Sequence, residues 1–221
     1  VMALGGGGFT AQNKVLPGAY INFVSAAKAS AQLSDRGIAT MPLELDWGPE
    51  DTVFEVTSED YQKHCQKIFG YAFNHEKMKG IADLFQGART LYAYRLNGGG
   101  EKASNTYATA LYGGTRGNDL KIVIQTNADD ADKFDVMTYL GTAKVDTQTV
   151  KKASELKAND YVSFKQDAEL ALTVATPLEG GTNGTVDGTA HQEYLDKIES
   201  YSFNTMGVVV TDETTKKLYA S

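Results

Sequence analysis

The three glycines within residues 97–102 (NGGGEK) constrain this chain more than any other feature, because the pattern of the sequence changes across them. Before them, apolar residues recur in turn at helical and at strand spacing. After them come short strands divided by polar turns. A chain with such a break folds as two bodies of different texture. Its 221 residues are enough for one large domain or two modest ones, with a real core.

Upstream, residues 20–26 (YINFVSA) alternate apolar with small or polar residues and read as extended. Residues 37–48 (GIATMPLELDWG) are strand-like, and Pro42, which cannot donate to a ladder, argues for an edge or a bulge. Residues 52–56 (TVFEV) make a further strand. A helix is predicted after Ser58, which caps it, with Tyr61, Cys65, Ile68 and Phe69 sharing a face and Gly70 as its stop. A second begins after Asn74, with Met78, Ile81, Leu84 and Phe85 on one side and Gly87 at its end. Residues 90–96 (TLYAYRL) are a strand of strong β-formers.

Downstream, strands are predicted at 106–112, 120–125, 134–140, 161–165 and 170–175, the spacing of a small sandwich or barrel-like domain. Residues 127–133 (NADDADK) read as a hairpin tip, and 151–157 (KKASELK) as one or two helical turns. A second glycine-rich connector covers 178–189; a helix capped by Thr189 and a buried strand at 203–211 follow it. Thr211 then caps the first turns of another helix, and the chain stops part-way through a β–α unit. The expected fold class is therefore α+β: a mixed α/β N-terminal segment with an inserted small β-sandwich or barrel-like domain, ending at the start of a truncated βα domain. The expected divisions are 1–26, an N-terminal arm; 27–97, the α/β segment; 98–178, a mainly β outer domain; and 179–221, the connector and the start of the last domain.

Composition narrows the function. With 42% apolar and 22% charged residues the chain is an ordinary globular one, and a net charge of −7 opposes nucleic acid and anionic membranes as partners. Cys65 is the single cysteine, so no internal disulfide is possible and no cysteine cluster can hold zinc. The start, VMALGGGGFTAQNK, lacks the order of a secretory signal, and the chain reads as folded in cytoplasm.

The motifs that suggest chemistry dissolve on inspection. Residues 112–124 (YGGTRGNDLKIVI) share the glycine content of a phosphate loop, but no Gly-Lys-Ser/Thr ending opens a helix. The better reading is a tight turn in which glycine and asparagine take positive φ, with Gly117 the sensitive position. His64 and Cys65 are helix neighbours that do not face each other, and His75 and His191 lack metal-ligand spacing. The carboxylates at 129–132 lack the calcium-loop pattern. No catalytic, cofactor-binding or metal-ligating set is expected. Tyr92, Tyr94, Tyr107 and Tyr112 fall in strands and leave open a second reading, a carbohydrate-binding β-domain of an adhesin.

Three motifs in fixed order carry a resemblance: P-G-x-Y-x-x-F from Pro17 to Phe23, RGIAT-x-P-L-x-x-x-WGP from Arg36 to Pro49, and G-x-RGN-D from Gly114 to Asp119. With YSFNTMGVVVTDE at 201–213, they make the chain similar to contractile phage tail sheath proteins of the XkdK type, found in myophages, PBSX-like prophages and phage-tail-like bacteriocins. That resemblance implies a structural, non-enzymatic subunit of hexameric rings stacked around a tail tube and triggered by a baseplate. It also implies assembly in the host bacterial cytoplasm and residence in the virion tail. Val15, Leu16, Tyr20, Ile21, Phe23 and Val24 would form an arm lent to the sheet of a neighbouring subunit, and the missing remainder of the last domain would leave this chain monomeric.

Overall fold

A computed structural model describes residues 37–207 of the chain. Two bodies are present. The first is a four-stranded sheet in the order β10-β1-β3-β2, built from β1 (Ile38–Leu43), β2 (Val53–Thr57), β3 (Thr90–Arg95) and β10 (Thr205–Met206). β1 runs parallel to both β3 and β10, and β2 is antiparallel to β3. Alternate residues of β3 feed different layers. Leu91 and Ala93 pack under α1 (Ser58–Phe69) and α2 (Lys79–Leu84), whereas Tyr92 and Tyr94 pack under α3 (Gly188–Ile198). With helices on both faces, the strand has no polar side to show, which is why TLYAYRL is so continuously apolar.

α1 buries Tyr61, Cys65, Ile68 and Phe69 and ends at Gly70 in the left-handed conformation, as its spacing predicts. Its cap is Thr57, not Ser58. The Thr57 hydroxyl accepts from the Asp60 amide at 3.1 Å while the Asp60 carboxylate accepts from the Thr57 amide at 3.2 Å, a reciprocal capping box that Ser58 is one residue too late to make. The second helix is likewise shorter than expected, with a 3₁₀ turn at Glu76–Met78 ahead of α2. α3 is capped by Asp187, which accepts from the Ala190 amide at 3.0 Å, rather than by Thr189. β1 is also not an edge strand, since it lies between β10 and β3. Ile38 and Thr40 offer their carbonyls to the amides of Asn204 and Gly207, and Pro42 falls on that same edge beyond the two residues of β10. Its missing N–H therefore breaks no bond to β3.

The second body joins an antiparallel sheet, β7-β6-β5-β9, to a two-stranded pair of β4 (Ala108–Ala110) and β8 (Val162–Phe164). The sheet comprises β5 (Leu120–Thr126), β6 (Phe134–Leu140), β7 (Ala143–Val150) and β9 (Thr173–Pro177). Leu120, Ile122, Ile124, Val136 and Leu140 from the sheet meet Ala108, Ala110, Val162 and Phe164 from the pair in one core. β5 and β6 are joined through the predicted tip. There Asn127 accepts from the amides of Asp129 and Asp130, so the tip is an Asx turn. β7 was not foreseen. β9 starts and ends later than its predicted span, and its pairing to β5 is broken by a bulge between Ile122 and Ile124. Of the buried strand expected at 203–211, residues 203–207 are described; only Thr205–Met206 is strand, and it is exposed to half-buried because it forms the edge of the sheet.

The chain leaves the first body after β3 and returns to it before α3. The outgoing and returning segments lie side by side: the Gly184 amide donates to the Asn97 carbonyl at 3.0 Å, and the Thr182 amide to that of Glu101 at 3.1 Å. A Cβ on Gly100 would sit 1.8 Å from the Thr182 carbonyl oxygen, and one on Gly184 1.9 Å from that of Gly98. Gly100 and Gly184 are there to let the two backbones touch.

The cap assignment has a direct check. Thr57→Ala should lower stability in urea denaturation by about 1 kcal/mol, while Ser58→Ala should stay within about 0.5 kcal/mol of the parent.

Candidate functional site: the joint between the two bodies

Arg95 ends β3 with its guanidinium 1% exposed, at the border of the two bodies. Its donors reach the carbonyls of Gly48 at 3.0 Å, Gly113 at 2.7 Å and Leu45 at 3.0 Å, and the Asn97 side chain at 3.3 Å. The Glu50 carboxylate lies 3.5 Å away. Burial lowers the guanidinium's pKa, and Glu50 and Asp46 pull it back; an arginine so placed stays charged. Asn97 supports the same cluster, accepting from the Leu45 amide and donating to its carbonyl.

The β1–β2 connection is the other half of the joint. The Asp46 carboxylate accepts from the Tyr71 hydroxyl at 2.6 Å, Lys77 at 2.7 Å and the Asn183 amide at 2.9 Å. Burial alone would raise its pKa, but hydrogen bonds from Lys77, Tyr71 and Asn183 hold it well below the usual carboxylate range. Trp47, 1% exposed, leaves the first body and packs in the core of the second, its ring 5.1 Å from Tyr112 and edge-on to it. Arg116 returns the exchange. It donates to the Gly70 carbonyl at 2.7 Å and lies 4.5 Å over the Tyr71 ring.

The glycine-rich loop belongs to this joint. The Gly114 amide donates to Glu101, Thr115 to the Asn183 side chain, Arg116 to Asp46 and Gly117 to Gly114. Amides committed to protein acceptors are not available to a phosphate. Contrary to the expectation of a tight turn with positive φ, a short 3₁₀ segment, Thr115–Asp119, follows Gly113 and Gly114, and neither Gly117 nor Asn118 has positive φ. The conformationally demanding residue is Gly114, at φ +139°, where a Cβ would lie 2.0 Å from the Asp46 carbonyl oxygen.

The remaining candidates do not converge. Cys65 is buried in α1, which pushes its thiol up to about 12, and His64 is exposed on the adjoining side. His75 caps its 3₁₀ turn through Nδ1 and stacks on Tyr71, whereas His191 is buried on α3. Among the described residues no group of three or more His, Cys, Asp or Glu could hold a metal ion. Nor is any described helix long and apolar enough to cross a membrane. Tyr92, Tyr94 and Tyr107 are buried, the first two beneath α3, so they form no platform for a sugar. The arm residues Val15, Leu16, Tyr20, Ile21, Phe23 and Val24 lie outside the described residues.

Sequence reasoning missed Arg95, Asp46 and Asn183. The one available signal was Arg95 itself, a lone charge inside an otherwise apolar strand. What this arrangement accomplishes is mechanical: each body inserts side chains into the other, and a buried polar cluster around Arg95 with a half-buried one around Asp46 fixes the angle between them.

Comparison with known proteins gives a separate match within each body. Residues 36–96 match the N-terminal region of domain III of the tail sheath protein Gp18, and residues 98–183 match the phage tail sheath protein beta-sandwich domain. The phage-like element PBSX protein XkdK of Bacillus subtilis is 33% identical, over 95% of this chain and 49% of its own length. The sheath tail protein of Desulfitobacterium hafniense superposes with a TM-score of 0.78 at 38% identity, covering 90% of this chain and 47% of that one. For the sheath tail protein of Listeria innocua the TM-score is 0.72 at 31% identity, over 85% and 44%. The chain thus spans about half the length of the relatives it matches.

Two measurements test the joint. Gly114→Ala should cost at least about 2 kcal/mol in urea denaturation. Gly117→Ala should cost less, since its Cβ would meet only the Ala103 and Ala110 methyls at 3.0 and 3.3 Å. Asp46 has its native pKa below the unfolded value of about 3.9. Its contribution is therefore complete above that pH and lost as pH falls toward the native value. Asp46→Asn should be less stable by about 2 kcal/mol at pH 7, with a gap to the parent that narrows below about pH 4. A gap that stays constant would exclude the carboxylate as the source.

Proposed function

The chain belongs to the phage tail sheath family, and we propose that it is a structural subunit of a contractile sheath, stacked as hexameric rings around a tail tube and triggered through a baseplate. In this reading it converts no substrate and binds no nucleic acid or membrane. It assembles in the host bacterial cytoplasm and ends up in the virion tail. The observation that carries the reading is the joint. Sliding and rotation of subunits during contraction demand bodies that keep their shape, and Arg95, Asp46 and Trp47 fasten the two bodies across the border of the two matched regions.

We assign residues 1–26 to an inter-subunit arm, 27–97 to an α/β segment, 98–178 to the outer β domain, and 179–221 to the connector and the start of the last sheath domain. The arm, with Val15, Leu16, Tyr20, Ile21, Phe23 and Val24, adds a strand to a neighbour's sheet, where main-chain hydrogen bonds supply the affinity.

Deleting residues 2–24 from the complete gene product should leave the subunit folded by circular dichroism and abolish long sleeves in negative-stain micrographs. Sleeves of normal length would show the arm to be dispensable. An intact gene product that never forms sleeves would overturn the function itself.

A further inference from the structure

Asparagine followed by glycine is a chemically labile step in any polypeptide, because the glycine amide nitrogen, unhindered by a Cβ, reaches the asparagine Cγ. Two of the ten asparagines precede glycine, Asn97 and Asn183, and the fold lays both steps against each other where the connectors meet. The Gly184 amide donates to the Asn97 carbonyl at 3.0 Å. Both side chains anchor the joint. Asn97, 5% exposed, accepts from the Leu45 amide at 2.9 Å and donates to its carbonyl at 2.8 Å. Asn183 is half-buried, accepts from the Thr115 amide at 3.0 Å and donates to Asp46 at 2.9 Å. In the closed joint the Gly184 N–H is committed and the Asn183 side chain is held from both bodies, so nitrogen and carbon meet only after the returning connector lifts away. Asn97 needs more, since Arg95 also holds it at 3.3 Å.

We propose that Asn183 is a modification site, deamidating when the joint opens, and that the product keeps the joint from closing again. The Gly184 nitrogen gives up its proton to water and bonds to Asn183 Cγ. The Cγ–Nδ2 bond breaks, and Nδ2 takes a proton from water and leaves as ammonia. Water then opens the resulting succinimide ring at either carbonyl, giving aspartate or isoaspartate. The sum is an amide and water converted to a carboxylate and ammonium, with no oxidant or cofactor. Reclosure would then set a carboxylate where an amide donated to Asp46. A hydrogen bond becomes a like-charge contact, because Asp46 keeps its own charge at neutral pH. Isoaspartate also lengthens the backbone path, which shifts Gly184 out of register with Asn97. Local opening is ordinarily reversible; at this step it leaves a permanent record. Nothing in this chemistry requires an assembled sheath.

The test is peptide mapping by mass spectrometry of the complete gene product, kept at mildly alkaline pH either folded or in concentrated urea. In urea Asn97 and Asn183 should convert at similar rates. In the folded protein Asn183 should be slowed by at least about tenfold, equivalent to an opening free energy of about 1.4 kcal/mol, and Asn97 further still. Gly114→Ala, which forces the loop off the Asp46 carbonyl, should raise the folded-state rate at Asn183. Should that variant not fold, Asp46→Ala, which removes the acceptor of the Asn183 amide, takes its place. Equal rates folded and in urea, faster conversion at Asn97, or a folded-state rate that the variant leaves unchanged would overturn the gate. The block on reclosure is tested separately. Asn183→Asp should unfold at lower urea than the parent, and the deficit should shrink when Asp46→Asn is added. Asn183→Asp as stable as the parent, or a deficit undiminished in the Asp46→Asn background, would overturn it.

Discussion

A buried guanidinium must have its hydrogen bonds satisfied almost completely, because an unmatched donor in a site without water costs about 1–3 kcal/mol, and more when charged. Arg95 meets that demand with three backbone carbonyls from two separate stretches, Leu45 and Gly48 in the β1–β2 connection and Gly113 in the glycine-rich loop. None of the three can shift without stranding a donor. The angle between the α/β body and the β body is thus dictated by where those carbonyls must stand. Asp46 repeats the arrangement with opposite sign, collecting donors from the α1–α2 connection and from the returning connector. No buried side-chain nitrogen or oxygen among the described residues lacks a partner, the condition under which such polar clusters specify one geometry.

Trp47 adds apolar burial to this polar frame. By chain order it belongs to the first body, yet it packs in the core of the second, against Tyr112 and Tyr161. Separating the bodies would expose it together with the cavity it leaves, a change comparable to the about 3–5 kcal/mol of large aromatic truncations. By comparison, the Lys67–Asp160 pair, at 3.9 Å and partly exposed, contributes little.

Local order was legible in the sequence where one face of one element decides the outcome. The buried face of α1, the span of β3, the limits of β6 and the hairpin tip all follow from spacing and turn chemistry. β7 was illegible because its run of Lys, Asp, Thr and Gln has no apolar period; pairing with β6 orders it, with Val145 and Val150 as its inward residues. The true caps of α1 and α3 lie one or two residues before the expected ones because several neighbouring residues could cap, and only the geometry of Thr57 and Asp187 completes the bond. The joint was harder still. Arg95 meets Leu45 across 50 positions and Asp46 meets Asn183 across 137, and no local pattern encodes such pairs. The motifs WGP and G-x-RGN-D marked two of its segments without saying that they touch.

The paired connectors have an evolutionary consequence. A body whose two ends emerge in contact perturbs its host no more than a short hairpin would, since β3 and α3 need only a narrow gap bridged between them. The β body is therefore a cassette: it can be enlarged, replaced or discarded while the scaffold beneath keeps its order of elements.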